Sequence, residues 1–180
     1  MDERTKEAVR YLGYGNHAID ARTLALIASS FQELEKAAGR RVIYRIFDVS
    51  PEENDTLSIG TLKIQSRNLK RNLKSCEKAY LLGATLGVDI DTMLRRYTLT
   101  DMARVVILQA CAAAMLEEYL DCCQEILRRE QEKEGFYLRP RFSPGYGDFP
   151  ITHQEQILCM LDAPKKIGLT LTSGNMLTPT

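Results

Sequence analysis

The sequence predicts an α+β fold, in which a mixed, mostly antiparallel sheet packs against a long central helix and several shorter helices. Segments with helical periodicity outnumber segments with strand periodicity, their order is mixed, and one helical segment, 101–133, far exceeds the others in length. The chain has 180 residues, of which 44% are hydrophobic. Those values suit one domain with its own core, so we expect a single domain over 1–180.

The first part of the chain predicts two helices followed by two strands. Asp20 is a suitable N-cap for the second helix, and Gly39 can close it. Strands are predicted where β-branched and aromatic residues dominate, and the second strand is expected to bulge near Gly60. The four segments are a helix over 3–12 before a glycine turn, a helix between Asp20 and Gly39, and strands over 42–49 and 57–64.

A third helix with a cationic side is predicted to start at Ser66. One side of this helix is apolar, and the other bears four cations and no acid: Arg67, Lys70, Arg71 and Lys74. We interpret the cationic side as a solvated face, as is usual for an amphipathic helix. A contact to phosphate or RNA is the alternative. No aromatic residues interleave with the cations, which weakens the RNA interpretation.

A glycine-containing loop follows the next predicted strand, 78–82. The loop 83–87 reads Gly-Ala-Thr-Leu-Gly and leads into a helix that Asp89 and Asp91 open. Such a loop can cradle an anion, but this one has neither the Gly-Lys-Ser/Thr of a P-loop nor Gly-x-Gly-x-x-Gly. From the residues alone, we interpret it as a connection between strand and helix.

The segment 101–133 predicts the longest helix. Its apolar run from Val105 to Leu116, interrupted by Gln109, falls well short of the ~20 residues that a membrane span needs. The helix is therefore expected to lie in a protein core.

One more helix and one more strand are predicted near the C-terminus. Thr152 and Glu155 match a capping box that starts a helix, which stops before Pro164. Apolar residues alternate with small or polar ones over 167–172, which predicts a half-buried strand before a turn at 173–175.

Composition narrows the function classes. Lys plus Arg equals Asp plus Glu at 24 each, so no net field favours nucleic acid or a membrane, and we expect neither as a partner. Five cysteines without a Cys-x-x-Cys indicate a reducing cytoplasm. His17 and His153 belong to no metal-ligand pattern and are interpreted as surface or capping residues. We expect no catalytic side chain and no metal ligand.

The segment 138–150, called the bend from here on, is the candidate ligand site. It holds three of the six prolines and two of the eleven glycines, a composition that fixes a non-repetitive backbone at small entropic cost. Arg141 offers a fork of donors for a carboxylate or phosphate, and Tyr146 offers a flat ring with a polar tip. From composition alone, an ordinary turn between a strand and a helix is the alternative.

The run Arg141-Phe142-Ser143-Pro144-Gly145-Tyr146, followed by Pro150 and a helix, resembles the Arg-x-x-Pro-Gly-Tyr signature of the activation domain of cobalamin-dependent methionine synthase. The resemblance continues through 165–172 and through Ser173, Met176 and Pro179. A weaker opening motif lies at 10–14. This resemblance implies that the domain binds S-adenosylmethionine, with Arg141 on the methionine carboxylate, the main chain at Ser143 and Gly145 against the ligand, and Tyr146 packed beside it.

The same resemblance implies the activity. The domain would offer S-adenosylmethionine to oxidised cobalamin held by a corrinoid-binding methionine synthase subunit, while a flavodoxin-like donor supplies an electron. A sulfonium methyl group is already activated, so positioning rather than acid–base chemistry would carry the reaction. The chain lacks the Asp-x-His-x-x-Gly of a cobalamin-carrying domain, so we expect a stand-alone reactivation subunit. The family usually continues beyond the position of Thr180, so the C-terminus is expected to be truncated.

The alternative is a non-enzymatic adaptor that docks on a corrinoid protein without binding S-adenosylmethionine.

Overall fold

The computed structural model describes residues 1–14 and 19–180, so His17 lies outside the described residues. The predicted α+β class is confirmed: the described part contains seven α-helices, a curled four-stranded antiparallel sheet and a two-stranded sheet. The helices are α1 (Glu3–Tyr11), α2 (Ala21–Ala37), α3 (Arg67–Asn72), α4 (Val88–Thr98), α5 (Met102–Lys133), α6 (Gln154–Leu161) and α7 (Ala163–Ile167), with a 3-10 turn at Ile151–His153. The strands are β1 (Arg41–Pro51), β2 (Thr56–Ile59), β3 (Leu62–Gln65), β4 (Lys78–Thr85), β5 (Thr170–Leu171) and β6 (Leu177–Thr178).

Two compact units make up the chain. The helical unit comprises Met1–Arg41, Ala84–Leu127 and Pro179–Thr180, and the sheet unit comprises Val42–Gly83 and Arg128–Thr178. Within the described ranges, no helix combines the length and the apolar character that a membrane crossing requires.

The helical unit is built around the apolar faces of its helices. Ile27, Leu34, Leu108 and Met115 are fully buried there, and burial of such side chains is the main favourable term in folding. Asp20 caps α2 as predicted, because its Oδ1 accepts a hydrogen bond from the Thr23 amide at 2.9 Å. The prediction of one long helix is also confirmed, since α5 runs for 32 residues.

The sheet unit carries its core under an antiparallel sheet with the strand order β3-β2-β1-β4. Along β2 and β3, buried residues alternate with more exposed ones, as expected for a sheet that is covered on one face. The buried positions join residues from the later helices in one cluster, whose fully buried members include Leu57, Ile64, Leu161 and Leu169.

The single bulged strand predicted over 57–64 is wrong, because this segment forms the hairpin β2–β3. Ile59 pairs with Leu62, so Gly60 and Thr61 form a two-residue turn. Gly60 has φ +56°, and a Cβ there would lie 2.8 Å from Cδ1 of Phe47. Only glycine adopts this backbone conformation readily in so confined a place, and that is why the chain reverses here.

The predicted loop at 83–87 is largely strand. β4 continues to Thr85, whose buried hydroxyl lies 3.0 Å from the Pro179 carbonyl oxygen and 2.7 Å from that of Thr180. The turn into α4 is therefore confined to Leu86 and Gly87. Gly87 has φ +97° and stands at the N-cap without a side-chain hydrogen bond.

Two predictions near the C-terminus are also wrong. The Thr152–Glu155 capping box does not form, because Thr152 lies in the 3-10 turn and α6 begins at Gln154 without a side-chain cap. The strand predicted over 167–172 is reduced to β5, since α7 occupies Ala163–Ile167. Pro164 favours the start of a helix as strongly as the end of one, and the left-handed Asp162 before it allows the chain to turn between α6 and α7.

Candidate functional site

The bend forms a compact loop held together by its own backbone hydrogen bonds. The Gly145 amide donates to the Phe149 carbonyl at 2.8 Å, the Tyr146 amide to the Ser143 carbonyl at 3.2 Å, and the Phe149 amide to the Tyr146 carbonyl at 3.0 Å. Gly145 and Gly147 have φ +93° and +56°, values that side chains with a Cβ rarely adopt. The predicted non-repetitive shape therefore depends on these two glycines.

Asp148 fastens the bend to the start of α3. Its carboxylate accepts hydrogen bonds from the Ser66 hydroxyl at 2.5 Å, the Arg67 amide at 2.8 Å and the Asn68 amide at 3.1 Å. The bond from Ser66, followed by those from the two backbone amides, lowers the pKa of Asp148 below its ordinary value. Asp148 thus acts together with Ser66, the predicted cap of α3, in satisfying the first amides of the helix.

Three further contacts join the bend to α3 and the turn after it. Asn72 Nδ2 donates to the Pro140 carbonyl at 3.2 Å, and Arg139 Nη2 donates to the Lys74 carbonyl at 3.3 Å. Gly147 lies so close to Asn68 that a Cβ would stand 2.4 Å from Asn68 Nδ2. The bend is consequently fixed near both of its ends against one short helix and the turn after it.

An aromatic layer supports the inner side of the bend. The Phe149 ring is only 4% exposed and stacks on Phe142 with ring centroids 6.4 Å apart. The His153 ring approaches Phe149 from the other direction at 5.5 Å. Burial lowers the pKa of His153, so its imidazole is neutral at neutral pH and serves as part of the apolar layer.

The four predicted ligand residues all lie on the outer side of the bend. Arg141, Ser143, Gly145 and Tyr146 are exposed, and the Tyr146 ring keeps 67% of its surface accessible. The backbone amide of Gly145 and the backbone carbonyl of Ser143 already take part in the hydrogen bonds of the bend. A guanidinium and a phenol ring, five positions apart in sequence, are therefore both exposed on a bend that its own backbone hydrogen bonds hold together.

A groove of about 380 Å³ runs beside the bend and was not predicted from the sequence. It is lined by Asn68, Arg71, Asn72, Arg139, Pro140 and Phe142. Neither Arg141 nor Tyr146 lines it. The cationic side of α3 is therefore more than a solvated face: Arg71 borders this groove, and Lys70 Nζ donates to the Glu52 carbonyl at 2.5 Å.

A second cavity, of about 440 Å³, lies in the helical unit between α2 and α4. One of its lining residues, Glu33, accepts hydrogen bonds from the Tyr97 hydroxyl and from Arg104 Nη2, both at 2.7 Å. Burial opposes ionisation of this carboxyl, but the bonds from Arg104 and Tyr97 outweigh it and lower the pKa of Glu33. Both carboxylate oxygens are thus engaged in packing α2 against neighbouring helices, and Glu33 does not have the character of a general base.

Among residues 1–14 and 19–180, no group of three or more His, Cys, Asp or Glu side chains is arranged to hold a metal ion.

No family model matches the sequence, and no curated protein matches it. Among solved structures, the chain is similar to the MetH reactivation domain bound to AdoHcy, with a TM-score of 0.63 and 16% sequence identity. The match covers 92% of this chain and 65% of that one, so the chain spans about two thirds of the length of the solved domain. The fold described above is thus similar to that of the MetH reactivation domain.

Proposed function

We propose that this chain is a reactivation subunit or domain of a cobalamin-dependent methionine synthase and that it binds S-adenosylmethionine at the bend. The observation that carries the proposal is the agreement of two independent features. The chain shares the fold of a reactivation domain that was crystallised with AdoHcy, and the Arg-x-x-Pro-Gly-Tyr run stands on an exposed, anchored bend within that fold. AdoHcy is what S-adenosylmethionine becomes when its methyl group has left.

The chemistry of the bend suits the methionine end of this ligand. The Arg141 guanidinium offers paired donors to the ligand carboxylate, and the Tyr146 ring offers its face to the positive sulfonium. The backbone at Ser143 and Gly145 would contact the ligand beside these two side chains. Because the bend is already fixed by Asp148 and Asn72, little ordering entropy opposes binding.

The protein's own contribution to the reaction is placement. A corrinoid-binding partner subunit would carry the cobalamin, whose reduced cobalt would supply the nucleophile for the methyl group, with a flavodoxin-like donor as the source of the electron. This chain would hold the sulfonium in line with that nucleophile, which is catalysis by orientation. No proton has to be moved, in keeping with engaged carboxylates such as Glu33 and Asp148. We place this reaction in the cytoplasm.

A specific observation favours the adaptor as a second candidate. Arg141 and Tyr146 line neither of the two cavities described above, and the Gly145 amide is already bonded to Phe149. A module with this fold that only grips a corrinoid protein needs neither a deep pocket nor a free amide at the bend.

Isothermal titration calorimetry with S-adenosylmethionine separates the two candidates. The reactivation function predicts binding that Arg141→Ala weakens by about 1.5–3 kcal/mol, the value of a hydrogen bond to a charged group. Arg22→Ala is the matched control, since Arg22 is an equally exposed arginine on α2, and it should bind normally. The adaptor would be established instead if the unsubstituted protein did not bind S-adenosylmethionine and formed a corrinoid-protein complex whose stability S-adenosylmethionine did not change.

A further inference from the structure

We propose that the groove between α3 and the bend is a second ligand site, one that binds the phosphate groups of a nucleotide. This proposal goes beyond the reactivation function, because S-adenosylmethionine carries no phosphate. The groove is a shallow, open depression of about 380 Å³. Its six lining residues comprise two arginines, two asparagines, a proline and a phenylalanine.

The charge of the groove is positive throughout. Arg71 reaches it from α3 and Arg139 from the bend, and no acidic side chain lines it. In the part of the chain that the structure describes, neither arginine forms an ion pair with a carboxylate. The nearest carboxylate along the bend, Asp148, is occupied by Ser66 and the first amides of α3. Two guanidinium groups without an internal counter-ion favour an external anion, and their planar forks match phosphate oxygens.

The two walls of the groove are held in place before any ligand arrives. Arg139 Nη2 donates to the Lys74 carbonyl at 3.3 Å, and Asn72 Nδ2 donates to the Pro140 carbonyl at 3.2 Å. These bonds tie the bend wall directly to the helix wall. A site whose walls are fixed in this way loses little entropy on binding and can select for ligand shape.

The remaining lining residues indicate a nucleoside rather than a bare phosphate. Phe142 is half-buried and stacked on Phe149, so its ring is fixed and forms an aromatic wall. Such a ring can stack on a base, which is a sequence-tolerant interaction. The side-chain amides of Asn68 and Asn72 provide both donors and acceptors of the kind that base edges and ribose hydroxyls require. Inorganic phosphate alone would leave this part of the groove unused.

Calorimetry on the whole chain with four probes tests the proposal: ADP, inorganic pyrophosphate, inorganic phosphate and adenosine. We expect ADP to bind most tightly and adenosine most weakly. Arg71→Gln should weaken ADP binding about tenfold or more, as loss of a charged hydrogen bond implies. Arg67→Gln is the matched control, because Arg67 is an exposed arginine on the same helix that does not line the groove, and it should leave ADP affinity unchanged. Phe142→Leu should weaken ADP without affecting pyrophosphate.

Several outcomes would overturn the proposal. Equal affinity for adenosine and ADP would show that the groove does not bind the phosphate groups. Equal affinity for pyrophosphate and ADP would show that it does not bind the nucleoside. An Arg71→Gln protein that binds ADP normally would place the ligand elsewhere. The proposed function is tested independently, because Arg141→Ala should reduce affinity for S-adenosylmethionine and leave ADP binding intact. A chain that binds ADP but not S-adenosylmethionine would contradict the reactivation function alone.

Discussion

Replacing Gly87 with alanine should destabilise the protein far more than replacing a typical left-handed glycine. Gly87 has φ +97° and ψ 163°, a region that essentially only glycine occupies and that costs other residues about 1–3 kcal/mol. An added Cβ would also lie 3.1 Å from the Gly39 carbonyl oxygen and 3.4 Å from Gly39 N and Cα. These are backbone atoms, and the Gly39 amide is bonded to the Leu86 carbonyl at 2.7 Å. The neighbouring chain therefore cannot move aside cheaply.

The expected loss is the sum of the two effects. Backbone strain and overpacking, each about 1–3 kcal/mol, together amount to about 2–6 kcal/mol, a large part of the roughly 5–15 kcal/mol by which a domain is stable. Urea unfolding followed by far-UV circular dichroism measures this loss. Gly13→Ala is the control for strain alone and should cost about 1–2 kcal/mol, since Gly13 has φ +79° and, among the described residues, nothing beyond its chain neighbours lies within 4 Å of an added Cβ. Gly39→Ala adds a methyl group on the other side of the same contact. It should have little effect on stability, because its added Cβ would approach only Leu86 O, at 4.0 Å.

Equal losses for Gly87→Ala and Gly13→Ala would refute the reasoning, because the close approach to Gly39 would then carry no energy. A loss that appears in Gly39→Ala as well would point to a general sensitivity of the β4–α4 junction rather than to the glycine at its turn.

Three further predictions concern buried polar and titratable groups. Burial raises the pKa of Cys111 to about 12, so iodoacetamide in mild alkali should modify the exposed Cys122 and Cys159 while Cys111 reacts only after unfolding, as peptide mass spectrometry would reveal. Burial lowers the pKa of His153. The contribution of the neutral imidazole to the free energy of unfolding is therefore present above the ordinary histidine pKa of about 6.5 and is lost as the pH falls through the pKa of the folded state. An NMR titration of the imidazole should give a midpoint below about 6.5, and a midpoint above that value would contradict the burial. Thr85→Val should lower the free energy of unfolding by about 1–3 kcal/mol, because the hydroxyl that bonds the Pro179–Thr180 carbonyls and the Gly87 amide is lost, whereas Thr85→Ser should retain most of the stability.

Elements whose determinants are local were predictable from the sequence. Asp20 and Ser66 cap their helices as expected, and each does so through a hydrogen bond to an amide three residues along the chain. The long helix α5 follows from a periodicity sustained over many turns. In each case the residues that decide the structure are neighbours in sequence, so a short window contains the whole argument.

Elements that depend on distant packing were predicted less well. The turn at Gly60 was interpreted as a bulge because the sequence does not contain the approach of Phe47. The helix α7 was missed because Asp162 adopts a left-handed conformation, φ +55°, at a position where glycine would have been the usual signal. Tertiary contacts select these conformations, and local propensity is too weak to oppose them.

The bend illustrates how far a short motif can be interpreted. Its non-repetitive backbone was predictable from proline and glycine alone, whereas the exposure of Arg141 and Tyr146 comes from the structure. The contacts that anchor the bend to α3 were not predictable, since Asp148 accepts a hydrogen bond from Ser66, more than eighty positions earlier in the sequence. One signal was available: an aspartate in a glycine turn, together with a helix start elsewhere that lacks acidic residues in its first turn.

The residues that anchor the bend to α3 belong to the sequence signature of such a site as much as the proposed ligand residues do. Arg141 and Tyr146 can grip a ligand only if the backbone between them keeps one shape, and that shape depends on contacts made by the other side of the bend. Gly147 must lie against Asn68, and Asp148 must cap α3. The proposed ligand residues and the residues that anchor their backbone therefore belong to the same loop. A chain that kept the Arg-x-x-Pro-Gly-Tyr letters but lost Asp148 or its Ser66 partner would retain the recognition groups without a fixed geometry, and the entropic cost of ordering them would then oppose binding.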